Sequence, residues 1–321
     1  MKILTIGAMP DRINRNLAMK TYLAQGFAEL VGPDMVKDTS LYFACDLLDS
    51  FRPDLAIVFG SCMPHESEYS SIRKKCDELK ISLVFWMHDD PYEFDFKYKI
   101  ADYADIIFTN DRWASYHYGR DGVYHLPMAA SPKTHFRPVD QPKEIDIFFC
   151  GVGFENRLSL LEGLKPVLEQ FNTQIYGDGW DENKLPFTKN QRIPNKILPD
   201  FYAKSKITLN MGRNLHYANE RFMLTPSTPG PRTFEAGMAG ALQMFFVDSL
   251  EIIEYYKPDE EIILFNNISD FEEKAEAILG NPEQAIRIRK AAQNRTLRDH
   301  TYKNRAATIL KISASELGLR D

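Results

Sequence analysis

The sequence predicts an α/β protein made of two doubly wound halves followed by a short run of helices. Three observations carry that prediction. The chain has 321 residues, more than one hydrophobic core usually serves, so two domains of roughly 150 residues are expected. In both halves short apolar runs alternate with longer stretches of helical periodicity, the pattern of parallel strands covered on both faces. Between the halves, Leu126–Ile147 holds Pro127, Pro132, Pro138 and Pro142 and little periodicity, which marks a linker. The boundary is therefore placed at 138/139, giving domains 1–138 and 139–321.

In the first half, strands are expected at Lys2–Ile6, Leu55–Phe59, Leu83–Met87 and Ile106–Thr109, with a weaker one at Tyr124–Leu126. Leu17, Tyr22, Ala24, Phe27, Ala28 and Leu30 recur at helical spacing, as do Ile72, Cys76 and Leu79. After the linker the rhythm restarts. Strands are expected at Ile145–Cys150, Thr173–Tyr176, Ile207–Asn210, Leu242–Phe246 and Glu261–Leu264. Helices are expected at Arg157–Gln170, Asp200–Lys204, Arg232–Ala239 and Leu250–Tyr255. The last ~50 residues read as helices only. Ser269 and Asp270 open one, Asn281-Pro282 the next, and a third runs from Lys303 to Leu317. No internal repeat and no low-complexity segment interrupts this order.

Composition narrows the function. A formal charge of −6 argues against a broad phosphate-tracking surface, though a local basic pocket for one diphosphate remains compatible with it. Cys45, Cys62, Cys76 and Cys150 are too irregularly spaced for a metal pair and fit reduced thiols of a cytoplasmic protein. The opening MKILTIGAMP reads as a first strand rather than a secretory signal. No run of about 18 apolar residues suggests a membrane span.

Open α/β sheets bind ligands just beyond the carboxyl ends of their strands, so those loops were read for chemistry. FFCGVGF at 148–154 places Gly151 and Gly153 after a strand, with Asn156 and Arg157 at a helix start. That arrangement suits an anion but equally suits a tight strand-to-helix turn. TPSTPGPRTFEAGMAG at 225–240 is stiffened by prolines and leads through Gly230 into Arg232, Thr233 and Glu235. It is a candidate diphosphate seat, with Glu235 one turn from Arg232 able to accept ribose hydroxyls. The competing reading is a surface Arg–Glu ion pair. YGDGW at 176–180 offers Tyr176 and Gly177, with Asp178 and Trp180 placed to bracket a base or to serve as turn and core. Asn210 ends a strand on the same side.

In the first half, FWMHDDPYEFDF at 85–96 sets His88, Asp89 and Asp90 directly after a strand. A carboxylate there suits an acceptor proton, or simply caps a turn with Pro91; His88 suits a structural hydrogen bond. Spacing reveals no third ligand for a metal. Gly7, in GAMPDRINRN, and His65, in GSCMPH, stand on the acceptor side of this reading, while Arg12 and Arg15 read as solvated. Arg287, Arg289, Arg295 and Arg298 read as a solvated helix face.

At this point the residues carry a resemblance. FWMHDDPYEF, ADIIFTND, LPMAASPKTHFRP, FFCGVGFENR, KITLNM, PRTFEAGMAGALQMFF and HTYKNRA occur in this order. With them the chain resembles the CgeB-type, spore-maturation-protein-like glycosyltransferases over most of its length. The resemblance implies a GT-B fold, with two Rossmann-like domains facing across a cleft and the donor held mainly by the second. It implies transfer of a sugar from a nucleoside diphosphate donor of the UDP, GDP or dTDP type to an acceptor hydroxyl. No other cofactor and no obligatory metal are implied. Glu235 matches the glutamate expected at the ribose, Arg232 and Arg157 match positions expected near the diphosphate, and Asp89 or Asp90 is the implied base. One position departs. Related retaining enzymes carry a further glutamate eight positions before the ribose-binding one, and here that residue is Ser227. Contacts to the donor sugar must therefore differ.

Two other functions fit parts of the pattern. A catalytically inactive GT-B module that binds a sugar nucleotide or scaffolds a partner would keep the same loops. A nicotinamide enzyme would share the α/β order, but GAMPDR after the first strand lacks the required GxGxxG. The acceptor is left open between protein, glycan and small molecule, with nucleic acid disfavoured by the acidity. No motif in the sequence encodes an oligomeric state.

Overall fold

Continuous apolar runs become inner strands. In the computed structural model, which describes residues 1–8, 17–214 and 217–319, all six residues of Leu55–Gly60 are buried. Only a strand with neighbours on both edges and helices over both faces permits that. The first unit runs β1 (Ile3–Gly7), α1 (Leu17–Val31), β2 (Val36–Ser40), α2 (Ala44–Phe51), β3 (Leu55–Gly60) and α3 (Glu66–Leu79). It continues with β4 (Ser82–Met87), α4 (Tyr98–Ala101), β5 (Ile106–Thr109), α5 (Arg112–His117) and β6 (Val123–His125). The six strands pair in parallel in the order β2-β1-β3-β4-β5-β6.

The second unit begins with α6 (Pro132–His135), β7 (Ile145–Cys150), α7 (Glu155–Leu168), β8 (Thr173–Tyr176), β9 (Thr188–Lys189) and α8 (Leu198–Lys204). There follow β10 (Ser205–Asn210), α9 (Pro231–Met238), β11 (Gln243–Phe246), α10 (Ile252–Tyr255), β12 (Ile263–Phe265), α11 (Ile268–Leu279) and α12 (Pro282–Asp299). Its sheet is also parallel, in the order β12-β11-β10-β7-β8-β9. Read from β9, this is the doubly wound order 3-2-1-4-5-6, whose direction reverses between β7 and β10. The loops after β7 and β10 therefore flank the position where such sheets open a crevice. In the first unit the reversal falls between β1 and β3. Both sheets are Rossmann-like, as expected.

The expected boundary needs correction. Packing divides the chain into residues 1–128, 216–226 and 302–321 on one side and 129–215 and 227–301 on the other. The last helix, α13 (Tyr302–Leu317), thus belongs with the first unit, where it packs along α1. A side chain at Gly26 would come within 2.6 Å of the Tyr302 carbonyl, so the close approach of the two helices requires glycine there. Arg305 donates to the carbonyls of Pro127 and Met128 at 2.7 and 3.0 Å. Two strands were absent from the sequence reading. β2 (VKDTS) is an edge strand with one buried residue, and β9 has two residues. Neither carries an apolar run to betray it.

Local signals account for the helix starts. Asn281 caps α12 through a bond from Gln284 N–H at 3.1 Å, with Pro282 in its first turn. α11 opens one residue earlier than expected, with Asn267 accepting from Asp270 N–H at 2.9 Å.

Candidate functional site

The loops at the reversal point of the second sheet are built around two glycine pairs. Gly151 N–H donates to Tyr176 O at 2.9 Å, and Gly153 N–H to Asp178 O at 2.8 Å. A Cβ on Gly177, at φ 152°, would lie 1.8 Å from Gly151 O, and one on Gly153 would lie 2.6 Å from Gly179 O. These glycines let one loop backbone rest on another. Arg157 then stitches the loops after β7 and β10 together. It donates to Val152 O at 3.0 Å, Met211 O at 3.1 Å and Gly212 O at 2.9 Å, and stacks over Phe149 and Phe154.

Tyr176, 9% exposed, packs among Phe148 and Phe201. Trp180 belongs to the core and donates to Gly151 O at 3.2 Å, and Asp178 pairs with Arg192. The expected bracketing of a base by Asp178 and Trp180 therefore gives way to turn and core roles. Asn210 donates to Thr233 Oγ1 at 2.9 Å and to Gln243 Oε1 at 3.0 Å, and Gln243 returns a bond to Thr233 O. This buried network fastens α9 to β10 and β11.

At the start of α9 the character changes. Gly230 is exposed, contributes no capping side chain, and has nothing within 4 Å of where a Cβ would stand. Arg232 follows with its side chain 38% exposed. Its Nη1 donates to Glu235 Oε2 at 2.5 Å and its Nη2 to Asn195 Oδ1 at 3.1 Å. Two acceptors thus hold the guanidinium from one side and fix its plane.

Glu235 is nearly covered, its side chain 4% exposed, so the pair is not the surface ion pair of the competing reading. Burial opposes its ionisation. The Arg232 guanidinium, with a smaller contribution from His135, overcomes that and holds the carboxyl below its usual range. Arg232 is in turn raised: burial opposes its charge most strongly, and Glu235 together with Tyr202 and Cys150 outweighs it.

His135, at the end of α6, went unrecognised in the sequence. Its Nδ1 accepts from Ser131 N–H at 3.0 Å, which leaves the ring proton on Nε2, 3.9 Å from Glu235 Oε1. Burial lowers its pKa against the pull of Glu235, so a neutral ring faces the carboxylate. Oε1 is beyond hydrogen-bond reach of that ring and retains acceptor capacity.

In the first unit the loop after β4 is also dense with acids, in different company. His88 N–H donates to Gly60 O at 3.1 Å, and its Nδ1 bonds the same carbonyl, leaving Nε2 3.4 Å from Asp89 Oδ2. Asp89 keeps a side chain 14% exposed. Asp90 is 2% exposed, and its Oδ2 accepts from Thr109 at 2.7 Å and Tyr118 at 2.8 Å, while Oδ1 has no hydrogen-bond partner among the described residues. Burial raises this carboxyl to about 7 against those two bonds. Glu93, also unrecognised in the sequence, accepts from Ser61 Oγ at 2.6 Å and Cys62 N–H at 2.7 Å, tying this loop to the one after β3. Burial, then Asp89, raises it as well.

His65 is exposed and caps α3, its Nδ1 accepting from Ser67 N–H at 3.2 Å. Gly7 makes room for Lys20, whose Cδ would be 2.9 Å from a Cβ there. Arg12 and Arg15, on the rest of that loop, lie outside the described residues.

The chain is similar to known glycosyltransferases in sequence and in fold. Residues 157–311, which include α9, fit the family described as Glycosyl transferase-like. The spore protein CgeB of Bacillus subtilis is 23% identical over 280 residues, spanning 83% of this chain and 84% of that protein. The chain is thus similar to CgeB and to the glycosyl transferase-like family. Its GT-B fold is shared with a glycosyltransferase from Rickettsia africae, at a TM-score of 0.67 and 11% identity, over 99% of this chain and all of that one. It is shared too with Anabaena HepE solved with UDP and glucose, at 0.67 and 9%, over 98% of this chain and all of that one. The avilamycin-pathway glycosyltransferase AviGT4 aligns at 0.65 and 12%, over 99% of each chain. No helix among the described residues is long and apolar enough to cross a membrane.

Proposed function

We propose that the chain transfers a sugar from a nucleoside diphosphate donor to an acceptor hydroxyl, and that the diphosphate is held at the start of α9. The observation that carries this reading is the arginine there. Arg232 is fixed by Glu235 and Asn195 yet 38% exposed, and stands beside Gly230, where a Cβ would meet no described atom within 4 Å. A planar cation on the first turn of a helix matches the charge that grows on a departing diphosphate. Glu235 serves twice, orienting Arg232 through Oε2 and offering Oε1 to a ribose hydroxyl.

Gly151, Gly153, Gly177, Tyr176, Arg157, Asn210 and Thr233 act at one remove, shaping the loops and seating α9. In the first unit Asp89 is the better base, since Asp90 is covered and holds its proton near neutrality; a base must be ionised to accept one. His88, bonded to Gly60 O, orients the residue beside it. HepE was crystallised with UDP and with UDP-glucose, which makes uridine the first base to try. The charge of Arg232 makes an obligatory metal unnecessary in this scheme.

The test is a panel of UDP-, GDP- and dTDP-sugars assayed for nucleotide binding and for nucleotide release, with and without EDTA. Binding and EDTA-resistant release by the wild-type chain, both lost in Arg232→Ala, are expected. Binding without turnover on any acceptor would favour the inactive sugar-nucleotide module instead. Gly230→Ala should leave stability within about 0.5 kcal/mol and weaken nucleotide binding. Gly177→Ala should unfold the chain at markedly lower temperature because its Cβ has no space.

A further inference from the structure

The loop 225–230 delivers Gly230 and Arg232 to α9, and its sequence limits how it can be held. Pro226, Pro229 and Pro231 have no N–H to give. Side-chain hydroxyls take over part of that task, and they converge on one carboxylate. Ser227 Oγ donates to Glu251 Oε2 at 2.8 Å, and Thr228 Oγ1 donates to Oε1 at 2.8 Å. From α10, Tyr255 OH donates to the same Oε1 at 2.6 Å. Glu251 is 7% exposed and stands at the N-cap of α10, 24 residues beyond Ser227.

Three O–H donors on one carboxylate are stronger and more directional than bonds between neutral groups. Both oxygens are used: Oε2 accepts from the loop, and Oε1 from both loop and helix. An amide of the same shape would present N–H₂ in place of one oxygen, forcing at least one hydroxyl to reverse.

We propose that Glu251 is the positioning residue of the donor loop: by gripping Ser227 and Thr228 it sets where Gly230 and Arg232 stand at the head of α9. The proposal rests on the donor reading above. Glu251 itself touches no substrate in it. It acts through the loop, and its carboxylate helps a segment whose prolines give no N–H stay in one conformation.

The experiment compares wild type, Glu251→Gln, the double variant Ser227→Ala/Thr228→Ala, and the triple combination, by amide hydrogen exchange and by UDP affinity. Glu251→Gln should speed exchange of the 225–233 amides about tenfold and weaken UDP binding about tenfold, with exchange in β7 and β8 unchanged. The loop double variant should do the same, and the triple variant should add little, because both changes remove one set of bonds. Exchange and UDP affinity within twofold of wild type in Glu251→Gln would overturn the proposal, as would full additivity in the triple variant. If Glu251→Gln does not fold, Tyr255→Phe loosens the same carboxylate from the α10 side and carries the same comparison. Failure of wild type to bind UDP, GDP or dTDP would remove the donor reading, while the exchange measurement still decides whether Glu251 sets the loop.

Discussion

Asp90 in the first unit and Glu235 in the second are both buried carboxyls that follow strands of parallel sheets, 2% and 3% exposed. Their proton affinities are driven in opposite directions. Asp90 accepts from the neutral hydroxyls of Thr109 and Tyr118, and burial, helped by the nearby acids Asp111 and Glu93, lifts it to about 7. Glu235 suffers the same burial but has the Arg232 guanidinium against it and is held below the usual range. Hydrogen bonds from neutral donors soften desolvation; a full opposite charge reverses it. One acid is thereby suited to holding a proton and the other to holding a cation.

The largest effect should come from removing the cation. Arg232→Met would turn the surroundings of Glu235 into those of Asp90. The native Glu235 stabilises above its unfolded pKa, and that contribution is lost as pH falls through its lowered folded value. In the variant the buried charge is uncompensated, so unfolding at pH 7 to 8 should show a loss of about 3 kcal/mol that shrinks on acidification. A loss that stays the same at pH 5 would break the comparison.

The second effect has the opposite sign. Asp90 has its folded pKa raised from 3.8 to about 7, so the folded state binds the extra proton between those values. Its contribution is full below pH 4 and disappears as pH rises through 7, roughly 4 kcal/mol at most for a move of that size. Asp90→Asn keeps an acceptor for Thr109 and Tyr118 and cannot ionise. It should match wild type near pH 4 and exceed it by about 2 kcal/mol at pH 8. Parallel stability curves for the two proteins would show that Asp90 is not titrating there.

The smallest effect concerns a buried cation with no acid. The sequence placed Arg289 on a solvated face; it is 5% exposed, donates to Lys206 O at 2.7 Å, and burial lowers it to about 10. By the same logic its charge is a net cost below that value. Arg289→Met should be neutral or about 1 kcal/mol more stable at pH 7, read by chemical denaturation. A clear destabilisation would mean that its bond to β10 outweighs its desolvation.

Much of the fold and part of the site could be read in advance. The strands Ile145–Cys150, Thr173–Tyr176 and Ile106–Thr109 appear with the expected bounds, because each is an inner strand whose apolar run is its own signature. The i,i+3 relation of Arg232 and Glu235 is likewise local. What escaped notice has its partners far along the chain. Asn195 reaches Arg232 across 37 residues, Glu93 reaches Ser61 across 32, and Glu251 reaches Ser227 across 24. Nothing in the spacing around those residues signals the contact.

By itself the sequence determined two parallel α/β sheets, the helix that begins at Asn281-Pro282, the one expected from Arg232, and the loop that places an arginine one turn before a glutamate. These follow from periodicity, capping and proline chemistry, which act within a few residues. Only the tertiary structure decided that α13 returns to the first sheet, that Gly151, Gly153 and Gly177 serve loop packing, and which buried acids carry charge. Those outcomes depend on what is brought alongside and how much water is excluded, and both are set by contacts between segments remote in the chain.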